Sequence, residues 1–280
     1  MNNPGTFAIR WPLFQLPVIS GTIERRLLLN FRCDPVVLAR RLPPPFRPQL
    51  VAGCGLAGIC LIRLAGMRPA GLPAPFGSAS ENAAHRIAVE WDENGVTRAG
   101  VFIPRRDTNA WLNRVLGGRL FPGRHHAATF DVRETNDRFQ MAMRSRDGQA
   151  SVRVAARVME EWPAGSVFPS LAAASDFFRA GSLGWSPHAS DDKFDGLELR
   201  CREWRMEPLV VEQVESGFFA NAGWFPPGSV EFDGALLMRN IAHEWHACGR
   251  LSPGVPKAPP VRGPVPQPRP HAHRVFFEMP

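Results

Sequence analysis

The chain has 280 residues, of which 44% are hydrophobic and 21% are charged, and its formal net charge at pH 7 is +7. This length allows one large domain or two small ones, and the apolar fraction is sufficient for a sizeable core. No apolar run approaches the about 20 residues of a membrane-spanning helix, and the N-terminus does not read as a secretory signal peptide. Five cysteines without disulfide-like spacing favour free thiols. We therefore expect a protein of the cytoplasm without a membrane partner.

The positive charge does not by itself indicate a nucleic-acid partner. Only Lys193 and Lys257 among the 33 basic residues are lysines, and the arginines alternate with acids along most of the chain. Scattered surface arginine is therefore favoured over a phosphate-binding face. Binding of an anionic polymer through the arginines stays as the weaker alternative.

The first half of the chain is predicted to form strands and one short helix. The helix extends from Val36 to Leu42, with Asp34 as N-cap and Pro35 at its first position. The strands, indicated by apolar runs or alternation, are Leu27 to Phe31, Cys54 to Leu64, His85 to Trp91, Gly100 to Ile103 and Ala127 to Glu134.

The second half is predicted to begin with a hairpin around Asp147-Gly148. Helices are expected over Asp107 to Leu116 and Ser170 to Ala180, because each begins with a capping residue and ends at glycine. The other predicted strands are Phe139 to Arg146, Ser151 to Val158, Leu197 to Trp204 and Leu209 to Ser216, and Ala235 to Trp245 is ambiguous.

Many short strands with few helices predict an α+β protein with a mostly antiparallel sheet that closes on itself. We expect a single domain over residues 1–250. Residues 251–280 are dense in proline and lack an apolar period, so they are predicted to form a disordered tail.

Several short motifs occur in an order that is shared with a known superfamily. They are Phe31-Arg32-Cys33-Asp34-Pro35, Gly66-Met67-Arg68-Pro69, Glu81-Asn82 with Arg86, Gly100-Val101-Phe102, Phe121-Pro122 with Ala127, and Phe232 to His246. Together they resemble the acetoacetate decarboxylase-like superfamily, and more closely its uncharacterised bacterial YqjF-like branch, domain of unknown function 2071. The resemblance implies a closed or cone-like β-barrel with a few peripheral helices. Two departures from the branch are Gly123, where a tyrosine is usual, and an extra residue before Arg86.

The reaction that gives the superfamily its name needs a lysine amine, which condenses with a ketone. The stretch in which the resemblance would place it, Leu112 to Leu120, contains arginine and asparagine instead. A guanidinium remains protonated and is a poor nucleophile. Lys193 directly follows two aspartates, which raise the pKa of an amine rather than lower it. We therefore do not expect Schiff-base catalysis.

Glu81 and Arg86 are the first candidates for function, with Asn82 beside them. A carboxylate on a pocket wall can act as a general base, and a nearby arginine can hold a substrate carboxylate through two hydrogen bonds. The alternative is an internal salt bridge that orients the strand. His125 is a second candidate acid or base, although it and His126 could equally be loop residues.

Arg105 and Arg63 are further candidates for binding an anion. Arg105 precedes a predicted helix, where anion-binding groups often lie, although a solvated charge is the alternative. Arg63 lies in an apolar strand, where a buried arginine needs a partner such as Glu81 or Glu90.

A short cluster of His243, His246 and Cys248 has the composition of a metal site. It lacks the HExxH spacing and no CxxC motif accompanies it. A polar strand end is the ordinary interpretation, so we predict neither a metal nor a cofactor.

Three functions remain open at this point. The first is a cofactor-free enzyme that acts on a small carboxylate or carbonyl compound, with Glu81 as acid or base and Arg86 or Arg105 holding the anion. The second is a non-catalytic binder or sensor of such a ligand, and the third is the anionic-polymer binder. Assembly into a homo-oligomer stays open for all three.

Overall fold

The computed structural model describes residues 17–73, 77–111, 123–188 and 192–253. These residues form one 13-stranded sheet with two helices beside it. The helices are α1 (Pro35–Ala39) and α2 (Leu171–Ala180). The strands are β1 (Ile19–Cys33), β2 (Arg47–Pro48), β3 (Leu50–Val51), β4 (Cys54–Pro69), β5 (Ser78–Glu93), β6 (Val96–Thr108), β7 (His125–Glu134), β8 (Arg138–Ser145), β9 (Ser151–Val158), β10 (Leu183–Pro187), β11 (Phe194–Cys201), β12 (Glu207–Ser216) and β13 (Val230–Leu251).

The sheet closes on itself because β5 pairs with both β4 and β6. The resulting ring contains β6, β7, β8, β9, β12, β13, β1, β4 and β5 in that order. β10 and β11 form a bridge outside this ring, from β6 to β13. All strand pairs are antiparallel except β6 with β7 and β6 with β10. The prediction of a mostly antiparallel α+β fold with a closed, cone-like ring of strands and peripheral helices is therefore confirmed.

The two faces of β1, β4 and β5 are both buried, which explains why these strands are apolar almost without interruption. Leu27, Ile59 and Ile87 point into the ring and pack with residues of β8 and β9. We call this the inner face. Their sequence neighbours Leu28 and Cys60 point to the other side, where the residues of this outer face pack beside α2. Alternation of side chains along a strand thus gives the protein two separate cores.

The predicted helix caps and the hairpin turn are confirmed. The Asp34 carboxylate accepts hydrogen bonds from the backbone N–H groups of Val36 at 2.7 Å and Val37 at 3.3 Å, and α1 ends at Ala39, before the predicted Leu42. α2 begins after Ser170, whose hydroxyl caps it, and ends at Gly181. Gly148 has a φ of 71° in the turn between β8 and β9. The ambiguous segment from Ala235 to Trp245 is part of β13.

The predicted helix from Asp107 to Leu116 is wrong at its start. Asp107 and Thr108 are the last residues of β6 and pair with β5, and the Asp107 side chain is fully buried. Asp107 forms an ion pair with Arg105 and does not cap a helix, so tertiary pairing outweighs the local cap signal. The rest of the segment, including the stretch from Leu112 to Leu120, lies outside the described residues.

β13 continues through Leu251, which is fully buried, so the ordered body reaches at least one residue beyond the predicted boundary at 250. Residues 254–280 of the predicted tail lie outside the described residues. Within the described part of the chain, no helix is long and apolar enough to cross a membrane.

Candidate functional site

Glu81 and Arg86 do not share a pocket wall, because they lie on opposite faces of β5. Glu81 pairs in register with Arg63 of β4, and Arg86 pairs with Gly58. The two residues are five positions apart in the sequence, and an odd spacing places two side chains on different faces of a strand. The predicted clamp of one carboxylate and one arginine is therefore wrong as a unit, and each residue belongs to a different group of side chains.

Glu81 belongs to an inner-face group that we call the inner cluster, which consists of Arg25, Arg63, Glu24, Glu81 and Glu134. Arg25 donates hydrogen bonds to Glu81 at 2.5 Å and to Glu134 at 2.6 Å. Burial raises the pKa of Glu81, while the charge of Arg25 and its hydrogen bond act in the opposite direction. The cluster has two arginines for three glutamates, so the positive charge of both arginines is compensated within the protein.

Arg63 is the outermost member of this cluster. Its guanidinium lies 2.8 Å from Glu24, 3.6 Å from Glu134 and 3.9 Å from Glu81. The side chain is 45% exposed, so the expectation of a buried arginine is wrong, although Glu81 is one of its partners as predicted. The other suggested partner, Glu90, pairs with Arg47 instead.

Arg105 is also held by carboxylates of the inner face. It lies 2.7 Å from Asp107 and 2.8 Å from Asp147, and His126 contacts the same Asp147 at 3.1 Å. Burial raises the pKa of Asp107, and Arg105 opposes that shift. Because two carboxylates already satisfy Arg105, an additional anion would have to displace one of them.

His85 lies between these two inner-face groups and is fully buried. Its ring packs at 4.3 Å between centroids against Phe218, and its Nδ1 lies 4.0 Å from Asp107, too far for a hydrogen bond. Burial, with a smaller contribution from Arg105, lowers the pKa of His85 to about 3. The imidazole is therefore neutral in the folded protein at physiological pH.

Arg86 belongs to the outer face, where it borders a cavity with a volume of about 80 Å³. Two further arginines line this space, Arg26 of β1 and Arg106 of β6. The opposite wall is formed by α2 and by the bridge of β10 and β11. We call this space the arginine cavity.

The three arginines of the cavity make neutral contacts. Arg86 donates a hydrogen bond to the side-chain oxygen of Asn30 at 2.5 Å, and its guanidinium lies 4.7 Å from the ring centre of Phe178 in α2. Its Nε is buried without a hydrogen-bond partner. Arg106 donates to the Ser186 hydroxyl at 3.1 Å. The contacts of Arg26 are to the sulfur atoms of Cys60 and Met238.

The described residues do not compensate the positive charge of the arginine cavity. Across the described ranges 17–73, 77–111, 123–188 and 192–253, no carboxylate pairs with Arg26, Arg86 or Arg106. Burial lowers the pKa of Arg86 to about 10 and that of Arg106 to about 10, so both remain charged at neutral pH. An uncompensated buried charge costs several kcal/mol, on the order of a whole protein's net stability. An anion in the cavity would remove most of that cost.

His125 lies at the edge of this arrangement, next to Arg106 in the parallel pair of β6 and β7. Burial lowers its pKa to about 3, and the charge of Arg106 adds to the shift. Gly123 closes the same edge with a φ of 77°, and a Cβ there would lie 2.7 Å from the Cβ of Ser186 and 3.5 Å from Nε of Arg106. A side chain at this position would therefore press on Ser186, which holds Arg106.

Asn82 is placed at the end of β5 rather than in the cavity lining. Its side-chain nitrogen donates to the Ser80 hydroxyl at 2.9 Å. The structure therefore brings one predicted residue, Arg86, into the cavity and His125 to its edge, and leaves Asn82, Arg63 and Arg105 elsewhere.

The site residues predicted from the sequence include neither Arg26 nor Arg106. The signal was present as two arginine doublets, Arg25-Arg26 and Arg105-Arg106, each inside a strand. Because neighbouring residues of a strand point to opposite faces, each doublet places one guanidinium on each face of the sheet. When both faces are buried, such a doublet indicates two separate charge sites.

The cluster at the end of β13 does not bring metal ligands together. Within the described residues, no group of three or more histidine, cysteine, aspartate or glutamate side chains is arranged to hold a metal ion. His246 contacts Glu244 at 2.8 Å, while the Cys248 thiol donates to the His246 carbonyl at 3.5 Å. His243 points to the other side and is buried.

Comparison with known proteins places the chain in a family. The family described as DUF2071, an uncharacterized conserved protein, matches residues 21–232. The chain belongs to this family. None of the curated proteins matches it.

Solved structures extend the similarity to the acetoacetate decarboxylase-like fold. An acetoacetate decarboxylase-like enzyme from Sphingomonas wittichii RW1 superposes with a TM-score of 0.54 at 14% identity, covering 85% of this chain and 94% of that one. Acetoacetate decarboxylase from Legionella pneumophila gives 0.51 at 12% identity, covering 90% and 92%. The enduracididine biosynthesis enzyme MppR, complexed with pyruvate, gives 0.52 at 13% identity, covering 85% and 91%. At these identities the likeness shows the fold alone, which is the acetoacetate decarboxylase-like fold.

Proposed function

We propose that this protein binds a small carboxylate in the arginine cavity. The observation that carries the proposal is the set of three guanidinium groups, Arg26, Arg86 and Arg106, that face one cavity without a carboxylate partner among the described residues. Arginine binds carboxylates through two parallel hydrogen bonds, and these bonds gain strength where water is excluded.

The size of the cavity limits the ligand. A space of about 80 Å³ is several times the about 10 to 15 Å³ that one water needs, which corresponds to a ligand of about six non-hydrogen atoms. Apolar side chains, among them those of Ile62, Ala88 and Phe178, also line the cavity. A short carboxylic acid with a small apolar or carbonyl end therefore fits both the charge and the volume, whereas a nucleic-acid backbone is too large for the volume.

Titration calorimetry with acetate and pyruvate, in a buffer of low chloride, tests this proposal. We expect one site per chain for the wild-type protein and a loss of at least about tenfold in affinity for Arg86→Met, since one charge-assisted hydrogen bond contributes about 1.5 to 3 kcal/mol. Arg98→Met is the matched control, because Arg98 is 57% exposed, pairs with Glu93 and is not among the residues that line the cavity. Equal affinities in all three proteins, or no binding by the wild type, would overturn the proposal.

An acid–base role for Glu81 is a second candidate function, with His125 as the alternative group. The support for it is that Glu81 is a carboxylate inside the ring whose pKa is raised by burial. Incubation of the protein with short oxo acids, followed by NMR of the products, tests it. Turnover that is lost in Glu81→Gln supports the enzyme, whereas binding without product in the wild type supports the non-catalytic binder or sensor.

A further inference from the structure

A thiol faces the same cavity as the three arginines. Cys60, in the middle of β4, lies at its floor and is 7% exposed. The Nε of Arg26 donates a hydrogen bond to its Sγ at 3.3 Å. Ionised Cys60 would also raise the pKa values of Arg86 and Arg106, although burial outweighs this effect in both. Cys60 is thus in electrostatic contact with every cationic group of the cavity.

Three of the other four thiols are kept protonated by burial. Burial raises the pKa of Cys33 to about 12, and its thiol donates to the Phe31 carbonyl. Burial likewise raises the pKa values of Cys201 and Cys248. These are conditions in which a thiol stays protonated and unreactive. Cys60, by contrast, accepts a hydrogen bond from Arg26 and lines the same space as Arg86 and Arg106.

A second observation is independent of the thiol and also points to a ligand. The Arg86 side chain is 7% exposed, and its buried Nε has no hydrogen-bond partner. A guanidinium whose donors are not all used, beside a cavity, can hold a carboxylate there. The carboxylate would bring the neighbouring carbon of a short acid toward the floor, where Cys60 lies.

From this juxtaposition we infer that Cys60 is the nucleophile of the arginine cavity and adds reversibly to the carbonyl carbon of a bound α-oxo acid. The inference rests on the proposed function, and it narrows the ligand class from small carboxylates to those with a carbonyl beside the carboxylate. It supplies a covalent contact where the lysine chemistry of the superfamily is not expected.

The step is balanced without another reactant. The Sγ–C bond forms as the π bond of the carbonyl opens, and the proton of the thiol ends on the carbonyl oxygen, which gives a thiohemiketal. Nothing is oxidised or reduced. The arginines assist because they can donate hydrogen bonds to the oxygen that becomes negative during the addition.

Alkylation with a negatively charged and a neutral reagent tests whether the Cys60 thiol lies in the positive environment of the arginine cavity. Iodoacetate is a small carboxylate that resembles the expected ligand, whereas iodoacetamide is its neutral counterpart. Relative to a free thiol, we expect the preference for iodoacetate at Cys60 to be higher by at least about tenfold, since a cationic cleft concentrates anions by that order. Peptide mass spectrometry measures it, pyruvate should protect Cys60, and Arg86→Met should remove the preference. Cys60 labelling without any preference for the anion would overturn the inference.

Carbon-13 NMR with pyruvate labelled at its carbonyl carbon tests the bond itself. We expect a new tetrahedral-carbon signal with the wild type that is absent with Cys60→Ser and with Cys60→Ala, two variants of similar size that guard against a folding failure of either. Calorimetry on the same samples separates the two proposals. Pyruvate binding without the signal overturns the role of Cys60 alone, whereas no pyruvate binding by the wild type overturns both.

Discussion

The inner cluster and the arginine cavity lie on opposite sides of the same three strands, and they solve the burial of charge in opposite ways. In the inner cluster, Arg25 is held by Glu81 and Glu134, and the surplus of carboxylates is shared with Arg63. In the cavity, the contacts of Arg26 and Arg86 with the described residues are to sulfur, amide and aromatic groups. The first arrangement pairs its charges within the protein, whereas under the proposed function an anion pairs those of the second.

Under the proposed function, the charged residues of the inner cluster stabilise the fold, whereas those of the arginine cavity bind the ligand. An ion-pair network compensates its own charges, and its members are expected to matter most for stability. Guanidinium groups that are buried without acids weaken the fold and are expected to matter most for binding. Measurements of stability and of binding on the same variants should therefore give opposite rankings for the two sites.

The largest effect is expected for Arg25→Met. Its removal leaves Glu81, which is 13% exposed, without its closest partner, and breaking a buried ion pair in this way costs about 3 to 5 kcal/mol. Urea denaturation at pH 7 measures the free energy of unfolding. A double variant with Glu81→Leu should recover much of the loss, because no unpaired carboxylate then remains. A loss below about 1 kcal/mol for the single variant would show that the pair is not structural.

The next effect is a loss of stability in mild acid. The pKa of His85 is about 3 in the folded protein, because of burial, whereas the ordinary value for histidine is 6.5. The unfolded chain therefore binds more protons between these values, so this contribution to stability is present above pH 6.5 and is lost as the pH falls toward 3.

From pH 6.5 to pH 5 one such histidine lowers the free energy of unfolding by about 2 kcal/mol. Urea denaturation at both pH values should show a smaller difference for His85→Leu than for the wild type. His246→Gln is the control, because that ring is only partly buried on the outside of β13. An unchanged pH dependence in His85→Leu would show that His85 is not the source.

A smaller effect is expected for Gly123→Ala, at the edge of the cavity. The left-handed φ of 77° disfavours a side chain by about 1 to 2 kcal/mol, and the new Cβ would press on Ser186 beside Arg106. Gly148→Ala is the matched control, since its φ of 71° carries the same backbone penalty with nothing within 4 Å of the Cβ. Both should lower the free energy of unfolding, but only Gly123→Ala should weaken pyruvate binding in calorimetry. Equal affinity of the two variants for pyruvate would show that Gly123 does not affect the cavity.

Much of the fold follows from local patterns in the sequence. The cap at Asp34, the turn at Gly148 and the end of α2 at Gly181 depend on residues next to them, and all three were predictable. The end of β6 was not, because Asp107 has the signal of a helix cap and its pairing with β5 depends on residues about 25 positions away. Local signals are reliable only where no distant strand competes for the same backbone.

The candidate site was less predictable than the fold. Family motifs pointed to Arg86, but its partners in the cavity come from β1 and β6, and only the register of the closed ring brings them together. Whether an arginine meets a carboxylate or a cavity depends on the face of the strand. A sequence does not specify the face when both sides are apolar, as in β4.

The smallest effect on stability is expected for Arg26→Met, the neighbour of Arg25 with the same substitution. Its two contacts are to the sulfur atoms of Cys60 and Met238, which are weak acceptors, so little is lost when they disappear. Its charge also disfavours that of Arg86, so its removal relieves a repulsion. We expect the free energy of unfolding without ligand to change by less than about 1 kcal/mol, while pyruvate affinity falls by about tenfold. If Arg26→Met destabilises the protein as much as Arg25→Met, the outer arginines are structural too, and the distinction between the two faces fails.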